Sequence, residues 1–405
     1  MRQNWFMAKH RHVLTLKPAT LVQPGSSKSR PASSRLDLLL SCLVLMGDSL
    51  MKRLLCHCIA IWILCLAYPL SASAQSFSFT FYSGAPYDWG YNPSIASTPT
   101  NVGCLPNSLL CDNTAVIEVH NGHDSPGPLW FHVGKIDGSG DITWNTNAYS
   151  YAGGWNPSVA AYGTTIVEVD NDVVLPGLMW YHLGQLVPVP TQIQLTGLTV
   201  GWSPGFPLSG SGWNPSVAVS GSTVVEVHNG QSTFGQMYSR VGTISNGYIN
   251  WGPITPYDQG LNPQITVLGS TVIEVHNGQN TPGKMWYRVG QITGTATKTI
   301  NWNPSVPYDS GWNPKISYGP YGLIEVHNGE QTAGQMYYDY GSLSGSAIVW
   351  NSRGDRFDSG LNPSVTTFGN SIGALEVHNG GNGQGEEWYN LGAFIYPPSP
   401  PPPLQ

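Results

Sequence analysis

The sequence predicts an all-β fold, and three observations carry that prediction. One unit recurs six times: its Asn-Pro falls at Asn92, Asn156, Asn214, Asn262, Asn313 and Asn362, each time after Gly and one bulky residue. A Glu-Val-His string follows at Glu118, Glu226, Glu274, Glu325 and Glu376, with Glu168-Val-Asp170 in the second copy. Successive glutamates lie 50, 58, 48, 51 and 51 residues apart, a period that suits propeller blades of four short strands joined by Gly turns. Within each unit, apolar and polar residues alternate with the period of a half-buried strand. The expected architecture is a six-bladed β-propeller of four-stranded antiparallel blades, closed by the N-terminal strand pairing with the last blade.

The chain divides accordingly. Met51-Lys-Arg53, the apolar run Leu54 to Leu66, and Ala72-Ser-Ala74 before Gln75 have the three parts of a secretory signal peptide over residues 51–74. Residues 1–50 have no place in such a signal and read as an upstream extension from a mis-called start. The propeller occupies 75–395, and 396–405 is a Pro-rich tail that should be extended and solvated. The expected location is outside the cytoplasm, either extracellular or periplasmic.

Export changes the charge. Nine of the 17 Lys and Arg, but only two of the 23 Asp and Glu, precede Gln75, so the rest carries 8 basic against 21 acidic residues. Such a surface repels phosphate, which excludes nucleic acid and anionic lipid as partners. Four of the six cysteines lie before Gln75. The remaining pair, Cys104 and Cys111, should form a local disulfide in an oxidising compartment, and their spacing matches no usual zinc motif.

Phe77-Ser-Phe-Thr-Phe81 alternates as a strand and leads into Tyr87-Asp88, a pair that closes the preceding unit elsewhere in the chain. The sixth unit stops after Trp388-Tyr-Asn-Leu-Gly392 without that closing segment. Residues 76–86 should therefore pair with the third strand of the last unit and remove a free sheet edge. Inside a unit, Asn-Pro-Ser-Val-Ala-Val makes the innermost strand, where Pro suits the first position. Ser-Thr-Val-Val-Glu-Val-His makes the second, ended by the hairpin signal Asn-Gly. Met285 to Ile292 makes the third, and Ile300-Asn-Trp302 opens the fourth.

The strings Asn-Pro-Ser-Val-Ala, Val-Val-Glu-Val-His-Asn-Gly and Met-Trp-Tyr-Arg-Val-Gly resemble a tandem repeat of secreted bacterial proteins. The resemblance covers nearly all of residues 77–394 and implies a propeller similar to the propeller lectins, whose sugar sites recur between blades on aromatic platforms. No lectin site can be matched residue by residue.

Three sets of residues could carry chemistry. The pairs Glu118/His120, Glu226/His228, Glu274/His276, Glu325/His327 and Glu376/His378 put a carboxylate and an imidazole on one strand face, where they can act as acid and base, bind a ligand, or brace neighbouring strands. The aromatics before Asn-Pro, Tyr91, Trp155, Trp213 and Trp312, could stack on a sugar ring or wedge the blades apart, as Leu261 and Leu361 would. Glu168, Asp170 and Asp172 share a face as a partial calcium site, the one cofactor the sequence suggests. Hydrolase elbows, zinc-protease helices and phosphate loops are missing.

The expected function is a secreted, multivalent carbohydrate-binding module without catalysis, engaging cell-surface glycans through several similar pockets. The alternatives are a glycoside hydrolase or polysaccharide lyase with one site at the channel mouth, and a structural or protein-interaction module.

Overall fold

The computed structural model describes residues 78–395, apart from 101–112, 124–126, 138, 192, 296, 320–321, 333, 369–372 and 382. The signal segment, the upstream extension, the Cys104–Cys111 pair and the Pro-rich tail lie outside the described residues. Among the described residues there are strands and turns but no helix, and every strand pair is antiparallel.

The third unit shows the common pattern. Thr223–Gly230, which carries Glu226 and His228, pairs on one side with Phe206–Ser220 and on the other with Gln236–Ser245. Gln236–Ser245 then pairs with Tyr248–Trp251 and with the start of Thr255–Leu268. After a register shift at Leu261-Asn-Pro-Gln264, Thr255–Leu268 leaves that ladder and becomes the first strand of the next one, against Thr271–Gly278. The sequence suggested two separate strands here; the structure makes one long strand that bends at Asn-Pro. Asn makes the bend possible, because all six Asn of this motif sit in the left-handed region at φ from +51° to +55°, which Asn tolerates better than most residues. The second unit is the exception, with Tyr149–Gly153 and Trp155–Tyr162 as separate strands.

The Glu-Val-His strands are buried on both faces. Their valines and isoleucines, such as Val225, Val227, Ile273 and Val275, are fully enclosed and pack in apolar clusters with side chains of the flanking sheets. Each such side chain contributes about 1.5–3 kcal/mol by leaving water.

Asparagines lock each unit to the next. The Asn after Glu-Val-His uses both ends of its amide: Asn229 Oδ1 accepts the Asn262 N–H at 3.0 Å, and its Nδ2 donates to the Gly260 carbonyl at 2.8 Å. Asn121, Asn171, Asn277, Asn328 and Asn379 repeat the clamp, the last of them reaching from the end of the chain to Asn92 and Gly90 at its start. The six Asn-Pro side chains form a second system, each Nδ2 donating to the next Oδ1 in the order Asn92, Asn156, Asn214, Asn262, Asn313, Asn362 and back to Asn92. These contacts explain why Gly-x-Asn-Pro and Asn after Glu-Val recur in every copy.

The two ends of the described chain also meet. Ser78–Phe81 pairs with Glu386–Ile395 in the register Ser78 to Ile395 and Phe81 to Gly392, and Ala85 to Trp89 pairs with the same strand at Tyr389 to Glu386.

Candidate active site at the meeting of the first and last units

The Glu–His pairs come together within each strand, His Nδ1 lying 2.9–3.1 Å from the glutamate in all five. Every one of these glutamates is fully buried and every histidine is at most 2% exposed. The glutamates are enclosed inner braces that a glycan outside the protein cannot touch, while His120 and His378 also present an edge to clefts. What varies is the residue opposite each glutamate on the third strand: His132, His182, Arg240, Arg288, Asp339 and Asn390. Burial alone would raise the Glu226 carboxyl, but Arg240 at 2.7 Å and His228 outweigh it and bring it down to about 2. Opposite Glu325, burial and the Glu325 charge push the Asp339 carboxyl up to about 8.

The aromatics before Asn-Pro are placed differently. Tyr91, Trp213 and Trp312 are each a little over one-third exposed, and Trp155 is half-buried. They flank the asparagine system and remain reachable from solvent.

Glu168 and Asp170 stand together in the fully buried seam, but Asp172 does not join them. It is spent on a turn: its carboxylate accepts the N–H groups of Val174 and Leu175 and the indole N–H of Trp180. The chain leaves the strand at Asn171, so the period-2 argument fails one residue too late. His182, from the neighbouring strand, takes the place expected for Asp172.

One site breaks the repeat more strongly. The first residue of the third strand to face the Glu-Val-His-Asn asparagine is Leu129, Met179, Met237, Met285 and Met336 in five units, each fully buried. In the sixth unit it is Glu387, opposite Asn379 and equally buried. In two other units a tyrosine hydroxyl approaches the methionine sulfur at this point, Tyr257 on Met237 and Tyr308 on Met285. Tyr87 is the corresponding tyrosine at Glu387, and its hydroxyl bears on the carboxylate.

Because the last strand pairs with the first, Glu387 lies among residues of the first unit. His120 Nδ1 is 3.0 Å from Glu118 and 3.4 Å from Glu387. One ligating atom each of Asp88, His120 and Glu387 lies within 4.8 Å of the others. Asp88 is also 3.1 Å from His132 Nδ1 and accepts the Trp89 N–H. A cleft of about 550 Å³ opens above them, lined by Asp88 and His120 together with Trp89, His123, Trp130 and Asn147. Trp89 is half-exposed, and His123 bridges it to Tyr91, which stacks on the imidazole at 5.7 Å.

The carboxyls of this cluster are driven apart. Burial raises Glu387 well above the usual range; His120 and Tyr87 resist, and the charges of Glu118 and Asp88 add to the rise. Burial and the Asp88 charge raise Glu118 likewise. Burial pushes Asp88 up too, but the imidazoles of His132, 3.1 Å away, and His120 outweigh it and hold the carboxyl low. A carboxyl held low at the cleft, an imidazole beside it and a carboxyl raised by burial behind are the parts of an acid–base device. A cation held by Asp88, His120 and Glu387 is also compatible with this donor set.

No protein-family model matches the chain, and no curated protein matches it. Among solved structures it is similar to Trypanosoma rangeli sialidase in complex with sialic acid, at 10% identity and TM-score 0.46, over 79% of this chain and 58% of that one. It is similar also to a neuraminidase-like protein from A/bat/Guatemala/164, at 9% identity and TM-score 0.47, over 80% of this chain and 95% of that one. The hemagglutinin-neuraminidase of parainfluenza virus 5 with ligand DANA gives 8% identity and TM-score 0.47, over 80% and 96%. The chain thus spans little more than half the length of the trypanosomal sialidase.

The expectation of a non-catalytic lectin with equivalent pockets in each unit is corrected here. The glutamates of the Glu–His pairs are fully buried, and the units are not equivalent, since Glu387 stands in one of them where the others have Leu or Met. The sequence reading missed Glu387, Asp88, His132 and His182. The one signal available for Glu387 was its place in the Leu/Met column of the third strands.

Proposed function

We propose that the protein is a secreted glycoside hydrolase with a single site above Asp88, His120 and Glu387, on a closed six-bladed propeller. The observation that carries the reading is the replacement of a buried Met or Leu by Glu387 at one point of the repeat, beneath a tryptophan-walled cleft. A buried acid in an apolar position costs stability, so its presence needs a compensating use. The six-bladed, closed form is supported by the end-to-end strand pairing and by the cyclic asparagine system.

In this reading a sugar stacks on Trp89 or Trp130 with its scissile bond over Asp88. Asp88 accepts a proton from the water that attacks the anomeric carbon as the glycosidic C–O bond breaks. His120 gives a proton to the leaving oxygen and is recharged from Glu387 behind it. The residues lining the cleft include no Lys or Arg, and three carboxyls lie beneath it, so neutral glycans fit better than carboxylated sugars such as the sialic acid named for the trypanosomal enzyme.

The test is hydrolysis of a panel of neutral and acidic chromogenic glycosides and polysaccharides. Asp88→Asn should lower turnover at least 100-fold, a typical effect of losing a positioned acid–base group. Glu387→Met restores the residue of the other units, so it should fold at least as well as the parent while losing most activity. Full turnover in Glu387→Met, or no cleavage of any glycan by the parent protein, would sink the reading.

A further inference from the structure

The second unit contains a different departure, independent of the cleft. Where the other units pair Glu with His, it places Glu168 beside Asp170, both fully buried. The opposite residue, His182, directs Nε2 toward Asp170 Oδ2 at 3.6 Å, too long for a hydrogen bond. One ligating atom from each of the three lies within 4.8 Å of the others.

The deciding observation is the lack of partners. Neither oxygen of Glu168, neither oxygen of Asp170 and not His182 Nδ1 makes a well-formed hydrogen bond. In the other units a cation or donor answers the same glutamate, as Arg240 and His228 answer Glu226, and Asn390 and His378 answer Glu376. Two adjacent buried carboxyls without a counter-charge are costly. Tyr151, whose buried hydroxyl also lacks a well-formed partner, bears on Glu168.

We infer that Glu168, Asp170 and His182 form an internal site for one divalent transition metal of the zinc class. A nitrogen donor with two carboxylates suits zinc better than calcium, which takes six to eight oxygens. The 3.6 Å between His182 and Asp170 is close to the roughly 3.4 Å expected for two ligands at about 2.1 Å in a tetrahedral shell. The ion would stabilise the second unit by neutralising its two carboxyls, and Asp172 has no part in holding it.

The test uses the purified protein, stripped with a chelator and titrated separately with Zn²⁺ and Ca²⁺ by calorimetry, with the melting temperature as a second readout. One Zn²⁺ per chain and a rise in melting temperature are expected, with Ca²⁺ at least tenfold weaker. Asp170→Asn keeps the shape of the side chain and removes its charged ligand, so it should stay folded and bind Zn²⁺ at least tenfold more weakly. Glu387→Met should bind like the parent, which separates this site from Asp88, His120 and Glu387. No stoichiometric zinc, equal binding by Asp170→Asn, or a preference for calcium would each overturn the assignment.

Discussion

At the scale of single residues, the buried positions opposite Glu226 and Glu325 give their two units opposite responses to pH. Glu226 has its carboxyl at about 2 in the fold against an ordinary 4.5. Its contribution is therefore complete above pH 4.5 and is lost as pH falls from there through 2. The shift corresponds to about 3 kcal/mol. Arg240→Met should cost about 3–5 kcal/mol near neutral pH by leaving Glu226 uncompensated, and much less near pH 2; urea denaturation at the two pH values measures the difference. Asp339 has the opposite sign. Its carboxyl sits at about 8 in the fold against an ordinary 3.8, so it weakens the fold progressively as pH rises from about 4 to 8. Asp339→Asn keeps the oxygen that accepts the Gly354 N–H and should raise the melting temperature at pH 7.5, with the gain fading by pH 4. An unchanged melting temperature at pH 7.5 would refute that account of Asp339.

At the scale of the strand, the asparagine after Glu-Val-His lies within the strand and ties it to the next unit rather than turning the chain. Asn229→Ala removes two hydrogen bonds to the following unit and leaves the Asn262 N–H and Gly260 carbonyl unanswered in a buried setting. A loss of about 2–4 kcal/mol is expected, since each abandoned buried group costs about 1–3 kcal/mol; Asn229→Asp should cost less, because it keeps the acceptor. Equilibrium denaturation of the two variants checks the order. The Asn-Gly expected to turn the chain lies inside the second strand, as in Thr223–Gly230, and the turn follows it at residues 231–235. The strands were still legible in the sequence because alternation reports local geometry and six copies make the pattern hard to miss. The site was less legible for the same reason. Glu386-Glu387 reads as an exposed charged pair until the strand is paired with its neighbour, and only the Met285 and Met336 column marks the second of them as enclosed. Likewise, the carboxylates Glu168 and Asp170 were visible, but His182 joins them through strand pairing across a turn, which period alone does not specify.

At the scale of the whole molecule, the contacts between first and last strands bring Asp88 and Glu387 together from opposite ends of the described chain. Removing Ser78–Phe81 deletes four paired positions and exposes the edge of Glu386–Ile395. The shortened protein should unfold at lower denaturant, and any glycosidase activity should fall together with stability. If it keeps the parent's denaturation midpoint, the first strand is not a lock. The cyclic asparagine system has a further consequence. All six amides donate in one rotational sense, so the loop has a direction, like a one-way road. The first Asn replaced anywhere on it interrupts the circulation and strands one donor and one acceptor at the gap. A second replacement next to the first removes one of those stranded groups, so the two substitutions should cost less together than the sum of each alone, whereas a second one on the far side of the circle opens a new gap.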